Sequence, residues 1–115
     1  MNRNIAIYLQ DIVDNMENAE GFVQNMTLEQ FAQDLKTSYA VVRCIEIIGE
    51  AAKNIPRSIR QQYPAIPWKE IAGMRDKVIH FYFGVQPEKV WLVVKEHIPR
   101  LRPLLQEVLQ DLQGR

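Results

Sequence analysis

Apolar residues recur every three or four positions along most of the chain, and this spacing predicts amphipathic helices. The first helix runs from Ile5 to about Gly21. A short helix follows Thr27, because Thr27 and Gln30 have the spacing of a capping box. It leads into a long helix that Pro56 ends. The inward-facing positions are Ile5, Leu9, Ile12, Met16 and Ala19 in the first helix and Ala40, Val41, Ile45, Ile48, Ala52 and Ile55 in the long one.

Prolines divide the second half of the chain. Pro64 and Pro67 interrupt residues 57–67, which predicts a short turn of helix and a loop. A helix then starts at Pro67 and ends before Gly84, and a last helical region opens at Pro87 and is bent or interrupted near Pro99. No segment alternates long enough to predict a strand. The inward-facing positions are Trp68, Ile71, Met74, Val78 and Ile79, then Val90, Val94, Ile98, Leu101, Leu105, Val108 and Leu112.

These patterns predict one all-α domain over residues 1–115, an up-and-down bundle of about five principal helices with short loops. A length of 115 residues with 47% apolar and 24% charged residues is typical of such a domain. Asp11 interrupts the N-terminus before a signal-peptide core could form, and we expect a cytoplasmic protein without membrane contact. The only cysteine, Cys44, excludes an intrachain disulfide and is interpreted as a small buried side chain.

The charges balance overall but are unevenly distributed. Residues 1–35 contain one basic and six acidic side chains, whereas residues 53–77 contain six basic and two acidic ones. The neutral total excludes a histone-like polycation, but a local basic face can still contact several phosphates. The two histidines, His80 and His97, are too far apart to share one helix face, so no metal site is expected.

Candidate chemistry is concentrated in residues 73–85. Arg75, His80 and Tyr82 provide a permanent cation, a titratable imidazole and a phenol. On a regular helix His80 would lie about 140° around from Arg75, so a shared site requires the helix to end near His80 or a second subunit to contribute.

A structural interpretation of the same residues is open. Tyr82 then packs in the core together with Phe83, and His80 caps a helix end. In that interpretation Arg75 pairs with Glu70 or Asp76.

The segment Arg75 to Tyr82 resembles the R-x4-H-x-Y signature of the HepT-like toxins, a branch of the HEPN superfamily of small α-helical ribonucleases. Residues 42–53 are similar to that family's long central helix, and residues 67–75 and 83–85 to its usual flanks. The resemblance covers most of residues 5–105. It implies a HEPN-like helical bundle and the toxin of a type VII-like toxin–antitoxin pair.

The resemblance also implies a mechanism. The toxin would be a metal-independent endoribonuclease that leaves a 2′,3′-cyclic phosphate and needs no cofactor. His80 would carry out acid/base chemistry, and the Arg75 guanidinium would bind the phosphate and its transition state. Two chains would pair their signatures in a homodimer, which can assemble further with the antitoxin.

Tyr82 has a separate implied role as a modification site. The implied antitoxin is an MntA-type nucleotidyltransferase, which uses ATP and Mg²⁺ to transfer AMP onto Tyr82. The bulky anion would exclude RNA from the cleft. Two alternatives are open: Tyr82 stacks on a base or packs, or the whole protein is a non-catalytic module that binds a nucleotidyltransferase or a nucleotide.

Further charged residues are accessory candidates. Arg43, Glu46, Glu50 and Lys53 recur at helical spacing, which predicts a ladder of salt bridges on a solvated face. In the alternative, Arg43 or Glu46 lines the cleft and orients His80. Asp76, next to Arg75, is a third accessory candidate. The aromatic residues Trp68, Phe81, Phe83 and Trp91 are interpreted as core or dimer contacts, and no role is predicted for His97.

Overall fold

A computed structural model describes residues 3–78 and 87–114 of the chain. All its regular structure is helical, which confirms the all-α prediction for this part of the chain. None of the described helices is long and apolar enough to cross a membrane. The elements are α1 (Arg3–Phe22), α2 (Leu28–Gln33), α3 (Leu35–Lys53), α4 (Arg57–Gln62), α5 (Trp68–Val78), α6 (Pro87–Leu92), a π-helical turn (Val93–His97) and α7 (Ile98–Gln113).

Local hydrogen bonds fix the start of α2 and the corner between α2 and α3. The predicted capping box is present: Thr27 Oγ1 accepts the Gln30 N–H at 3.1 Å, and the Thr27 N–H donates to Gln30 Oε1 at 2.9 Å. Asp34 ends α2 and caps α3, since its Oδ1 accepts the Thr37 N–H at 3.0 Å. Hydrogen bonds from the Thr37 backbone and hydroxyl hold the pKa of Asp34 below its usual range.

The predicted interruption near Pro99 takes the form of a π-helical turn. The Ile98 N–H donates to the carbonyl of Val93, five residues earlier, so the turn is wider than in an α-helix. Pro99 follows directly. Its ring would meet the carbonyl of Lys95 in a regular α-helix, and it has no N–H to continue the ladder. The widened turn therefore allows the helix to continue past Pro99 almost without interruption.

The core lies around α3, which packs against α1 on one side and α5 on another, while α1 also packs against α7. The predicted inward-facing residues that the structure describes are buried, except Ala40, which is half-buried. Ile79 lies outside the described residues. Cys44 is buried as predicted, and burial raises the pKa of its thiol, which keeps it protonated and unreactive.

Candidate functional site

Arg75 lies in the last turn of α5 and is half-buried. Its backbone is held against α3 at Gly49. A Cβ placed on Gly49 would lie 2.8 Å from Arg75 Cβ and 3.2 Å from the carbonyl oxygen of Ala72. The two helices therefore approach more closely here than any residue with a side chain would allow. This contact fixes the position of Arg75 Cβ, from which the rest of the side chain extends.

The structural interpretation of Arg75 as an ion-pair partner of Glu70 or Asp76 is wrong within the described residues. Across residues 3–78 and 87–114, no carboxylate oxygen lies within 4.0 Å of the Arg75 guanidinium. Glu70 instead pairs with residues of the π-helical turn and α7. Because no described carboxylate neutralises it, the Arg75 cation is available to an anionic ligand.

Glu70, His97 and Arg100 form a polar cluster that ties α5 to the π-helical turn and α7. Glu70 Oε2 lies 3.3 Å from His97 Nδ1 and accepts a hydrogen bond from Arg100 Nη2. Burial alone would raise the pKa of Glu70, but the hydrogen bonds and charges of Arg100 and His97 outweigh it and hold this pKa below its usual range. Sequence reasoning missed this cluster. The signal was the spacing of His97 and Arg100, which places both on one helix face.

The predicted ladder along α3 does not form. No ion pair joins any two of Arg43, Glu46, Glu50 and Lys53. Exposed pairs of this kind gain too little to hold two long side chains in one geometry. Glu46 and Glu50, four residues apart, also repel each other.

The accessory candidates differ in their placement relative to Arg75. Glu46 is half-buried and lies one turn of α3 before Gly49, beside the contact that holds Arg75. Arg43 is exposed and lies about 120° around α3 from Gly49. Asp76 is exposed on α5. Of these three described residues, only Glu46 is half-buried.

The predicted site residues His80 and Tyr82 lie outside the described residues, as do Phe81 and Phe83. Their assignment stays a prediction. In the described ranges, no three His, Cys, Asp or Glu side chains lie close enough together to hold a metal ion.

Both tryptophans contribute to packing, as predicted. Trp68 is buried and donates its indole N–H to the Tyr63 carbonyl at 3.0 Å. Trp91 packs on Phe31 with the ring centroids 5.4 Å apart. The Lys95 ammonium nitrogen lies 5.0 Å from the centroid of the Trp91 ring.

Several charges outside the candidate site serve the fold. Arg60, within the basic stretch, donates through Nε to the Ile55 carbonyl at 2.9 Å, close to the end of α3. In the acidic N-terminal third, Glu20 pairs with Arg102 of α7 at 2.6 Å. Lys69 and Lys77 are exposed on α5. These two cations do not share the face of Arg75, because they lie about 120° (Lys69) and about 160° (Lys77) around α5 from it.

A model of the family described as "Ribonuclease HepT-like" matches residues 12–108. A protein of Methanocaldococcus jannaschii named "Putative RNase" is 46% identical over 98% of this chain and 93% of its own length. A second "Putative RNase" of that organism is 45% identical over 96% of each chain. A "Probable ribonuclease HepT" of Thermococcus cleftensis is 49% identical over 89% of this chain and 93% of its own length. No solved structure matches.

The lowered pKa of Glu70 predicts a pH-dependent contribution to stability. The stabilisation is fully present above the unfolded-state pKa of about 4.3 and is lost as the pH falls through the lower folded-state pKa. Glu70→Gln should therefore reduce the free energy of unfolding at pH 7, by up to about 1 kcal/mol for so exposed a pair. The loss should shrink towards pH 3. Urea unfolding at both pH values measures it.

The matched control is Glu96→Gln. Glu96 is exposed on the π-helical turn and pairs with no cation of the described chain. This variant should change stability little at either pH. A Glu70→Gln loss that is equal at pH 7 and pH 3 would contradict the ionic role of the cluster.

Proposed function

Because the chain belongs to the HepT-like ribonuclease family, we propose that it is a metal-independent endoribonuclease, the toxin of a type VII-like toxin–antitoxin pair. One structural observation supports this activity in addition to family membership. Arg75, the first residue of the R-x4-H-x-Y signature, is half-buried against α3 and has no carboxylate partner among the described residues. A cation whose backbone is held in place and that no described carboxylate neutralises suits the binding of a phosphate.

The proposed reaction is attack of the ribose 2′-oxygen on the adjacent phosphorus. The 2′-hydroxyl loses its proton, the bond from phosphorus to the 5′-oxygen breaks, and that oxygen leaves with a proton. His80 serves this proton transfer, since an imidazole exchanges protons near neutral pH. Arg75 stabilises the charge of the phosphorane with paired N–H donors. The products are a 2′,3′-cyclic phosphate and a 5′-hydroxyl.

Residues near Arg75 have proposed supporting roles. Glu46 orients His80, because it lies beside the contact between α3 and α5 and no described cation holds its carboxylate. The more exposed Arg43 and Asp76 have lesser roles at the edge of the cleft.

The active form that we propose is a homodimer with two signatures facing one cleft, because each chain supplies one signature histidine. Large apolar side chains that remain exposed on the single chain support an interface. Two of them, Leu35 and Tyr39, lie one turn apart on α3. In the part of the chain that the structure describes, the others are Ile7 and Phe22 on α1 and Leu92 on α6.

The proposed antitoxin is an MntA-type nucleotidyltransferase. In the modification, the Tyr82 phenol oxygen attacks the α-phosphorus of ATP, pyrophosphate leaves and the phenol proton is released. The attached AMP places a negative charge and a purine near Arg75, and both compete with RNA. ATP and Mg²⁺ are needed only for this step.

Arg75→Ala and His80→Ala should each reduce RNA cleavage by about a hundredfold or more, since each removes a group that acts in the transition state. Helicity should stay unchanged, and wild-type cleavage should persist in EDTA. Lys77→Ala removes an exposed cation from the same helix and is the matched control, with a small loss. Full activity of purified His80→Ala would exclude the mechanism, and inactivity of the wild type would favour a non-catalytic binding module.

Mixed dimers test whether the two chains share a site. Inactive Arg75→Ala and inactive His80→Ala chains, unfolded together and refolded, should regain about a quarter of the wild-type activity, because about half the dimers then contain one complete composite site. Each variant refolded alone should stay inactive. If no cleavage activity is recovered, Arg75 and His80 of each site belong to the same chain. A monomer by light scattering would contradict the dimer.

Tyr82 should be the site of AMP transfer. Incubation with ATP, Mg²⁺ and an MntA-type transferase should raise the intact mass by AMP increments and stop cleavage. The transferase is needed because a phenol with a pKa near 10 is a poor nucleophile at pH 7. Tyr82→Phe should keep its fold and stay unmodified. Undiminished modification of Tyr82→Phe, or an unchanged wild-type mass, would leave direct protein–protein inhibition as the explanation.

A further inference from the structure

Gly49 lies in the interior of α3, where glycine is less favourable than alanine for the helix. Its backbone is not in the left-handed region, so no turn requires a glycine there. The residue is also buried. Packing is the remaining reason for a glycine at this position.

The three atoms nearest to a Cβ placed on Gly49 all belong to one turn of α5. A Cβ on Gly49 would meet Arg75 Cβ at 2.8 Å, the Ala72 carbonyl oxygen at 3.2 Å and the Arg75 backbone nitrogen at 3.4 Å. Carbon atoms normally pack about 3.5–4.0 Å apart. Two of these atoms are backbone, and a Cβ moves only with its backbone. No rotamer change can relieve the overlap, so a methyl group on Gly49 would displace α5.

This displacement would begin at Arg75, whose guanidinium follows its own Cα and Cβ. We propose that Gly49 is a positioning residue for RNA cleavage: its missing side chain sets how deeply α5 lies against α3, and thereby where the Arg75 guanidinium meets the scissile phosphate. The inference rests on the proposed function of Arg75. A misplacement of about 1 Å at a positioned group costs about a hundredfold in rate.

Gly49→Ala tests the inference, with Gly73→Ala as the matched control. Gly73 lies on α5 two residues before Arg75, and a Cβ there meets no atom within 4 Å. At a temperature where circular dichroism shows both variants folded, Gly49→Ala should lower kcat for a short RNA by about tenfold to a hundredfold. Its KM should change less than its kcat, since Arg75 mainly stabilises the charge that develops in the transition state. Gly73→Ala should keep both parameters.

A double-mutant cycle measures the contact without activity. Arg75→Gly removes the Cβ that the new methyl group would meet, so Gly49→Ala should lower the thermal midpoint less in the Arg75→Gly background than in the wild type. If Gly49→Ala alone does not fold, the added Arg75→Gly should restore folding.

The outcomes separate this inference from the proposed function. Equal drops of the midpoint in the two backgrounds, or an unchanged kcat of folded Gly49→Ala, would overturn the positioning role. If Arg75→Ala is inactive while Gly49→Ala is fully active, only the positioning role fails. If Arg75→Ala is fully active, the proposed catalytic function fails, whatever the cycle shows.

Discussion

The contact between α3 and α5 at Gly49 constrains the candidate site more than any other described interaction. α3 is the central helix, and Ile45, one turn before this contact, and Ile48, directly before it, are both fully buried. α5 presents Ile71 and Met74 to the same core. Because core packing and the close approach at Gly49 together hold α5, the backbone of Arg75 is held in place without an ion pair. A rigid backbone under a long cationic side chain is a favourable arrangement for a phosphate-binding group, since less freedom is lost on binding.

On another side of α5, ion pairs of Glu70 hold the helix against the π-helical turn and α7. Glu70 lies about 140° around the helix from Arg75, and its carboxylate is engaged by Arg100 and His97. Because Glu70 is engaged in this cluster, it does not pair with Arg75, as one interpretation of the sequence had predicted. Glu70 is thus used for packing against α7, whereas the Arg75 guanidinium has no carboxylate partner among the described residues.

Local signals in the sequence were sufficient for most of the fold. The ends of α2 follow from Thr27 and Asp34, whose side chains bond backbone groups three residues away, and the inward faces follow from the helical period. The Glu70–His97 contact joins residues 27 positions apart, so only the packed bundle creates it. The ladder on α3 failed for another reason, because spacing permits exposed ion pairs without making them favourable. The sequence identified Arg75 as a candidate. A glycine inside a predicted helix is unfavourable and marked Gly49 as unusual, but no spacing rule links Gly49 to Arg75, 26 residues further along the chain.

A chain of zero net charge is an unusual candidate for RNA binding, and the placement of its acidic residues bears on this difficulty. Glu20 and Glu70 are occupied by arginines of α7, so these carboxylates repel a phosphate backbone less than their number suggests. Such a surface provides few phosphate contacts on one chain, and few contacts give weak binding. If two chains pair as proposed, the cations of both line one cleft and the number of contacts doubles. Dimerisation would then supply affinity for RNA as well as a complete catalytic site, which gives a neutral chain a physical reason to act as a pair.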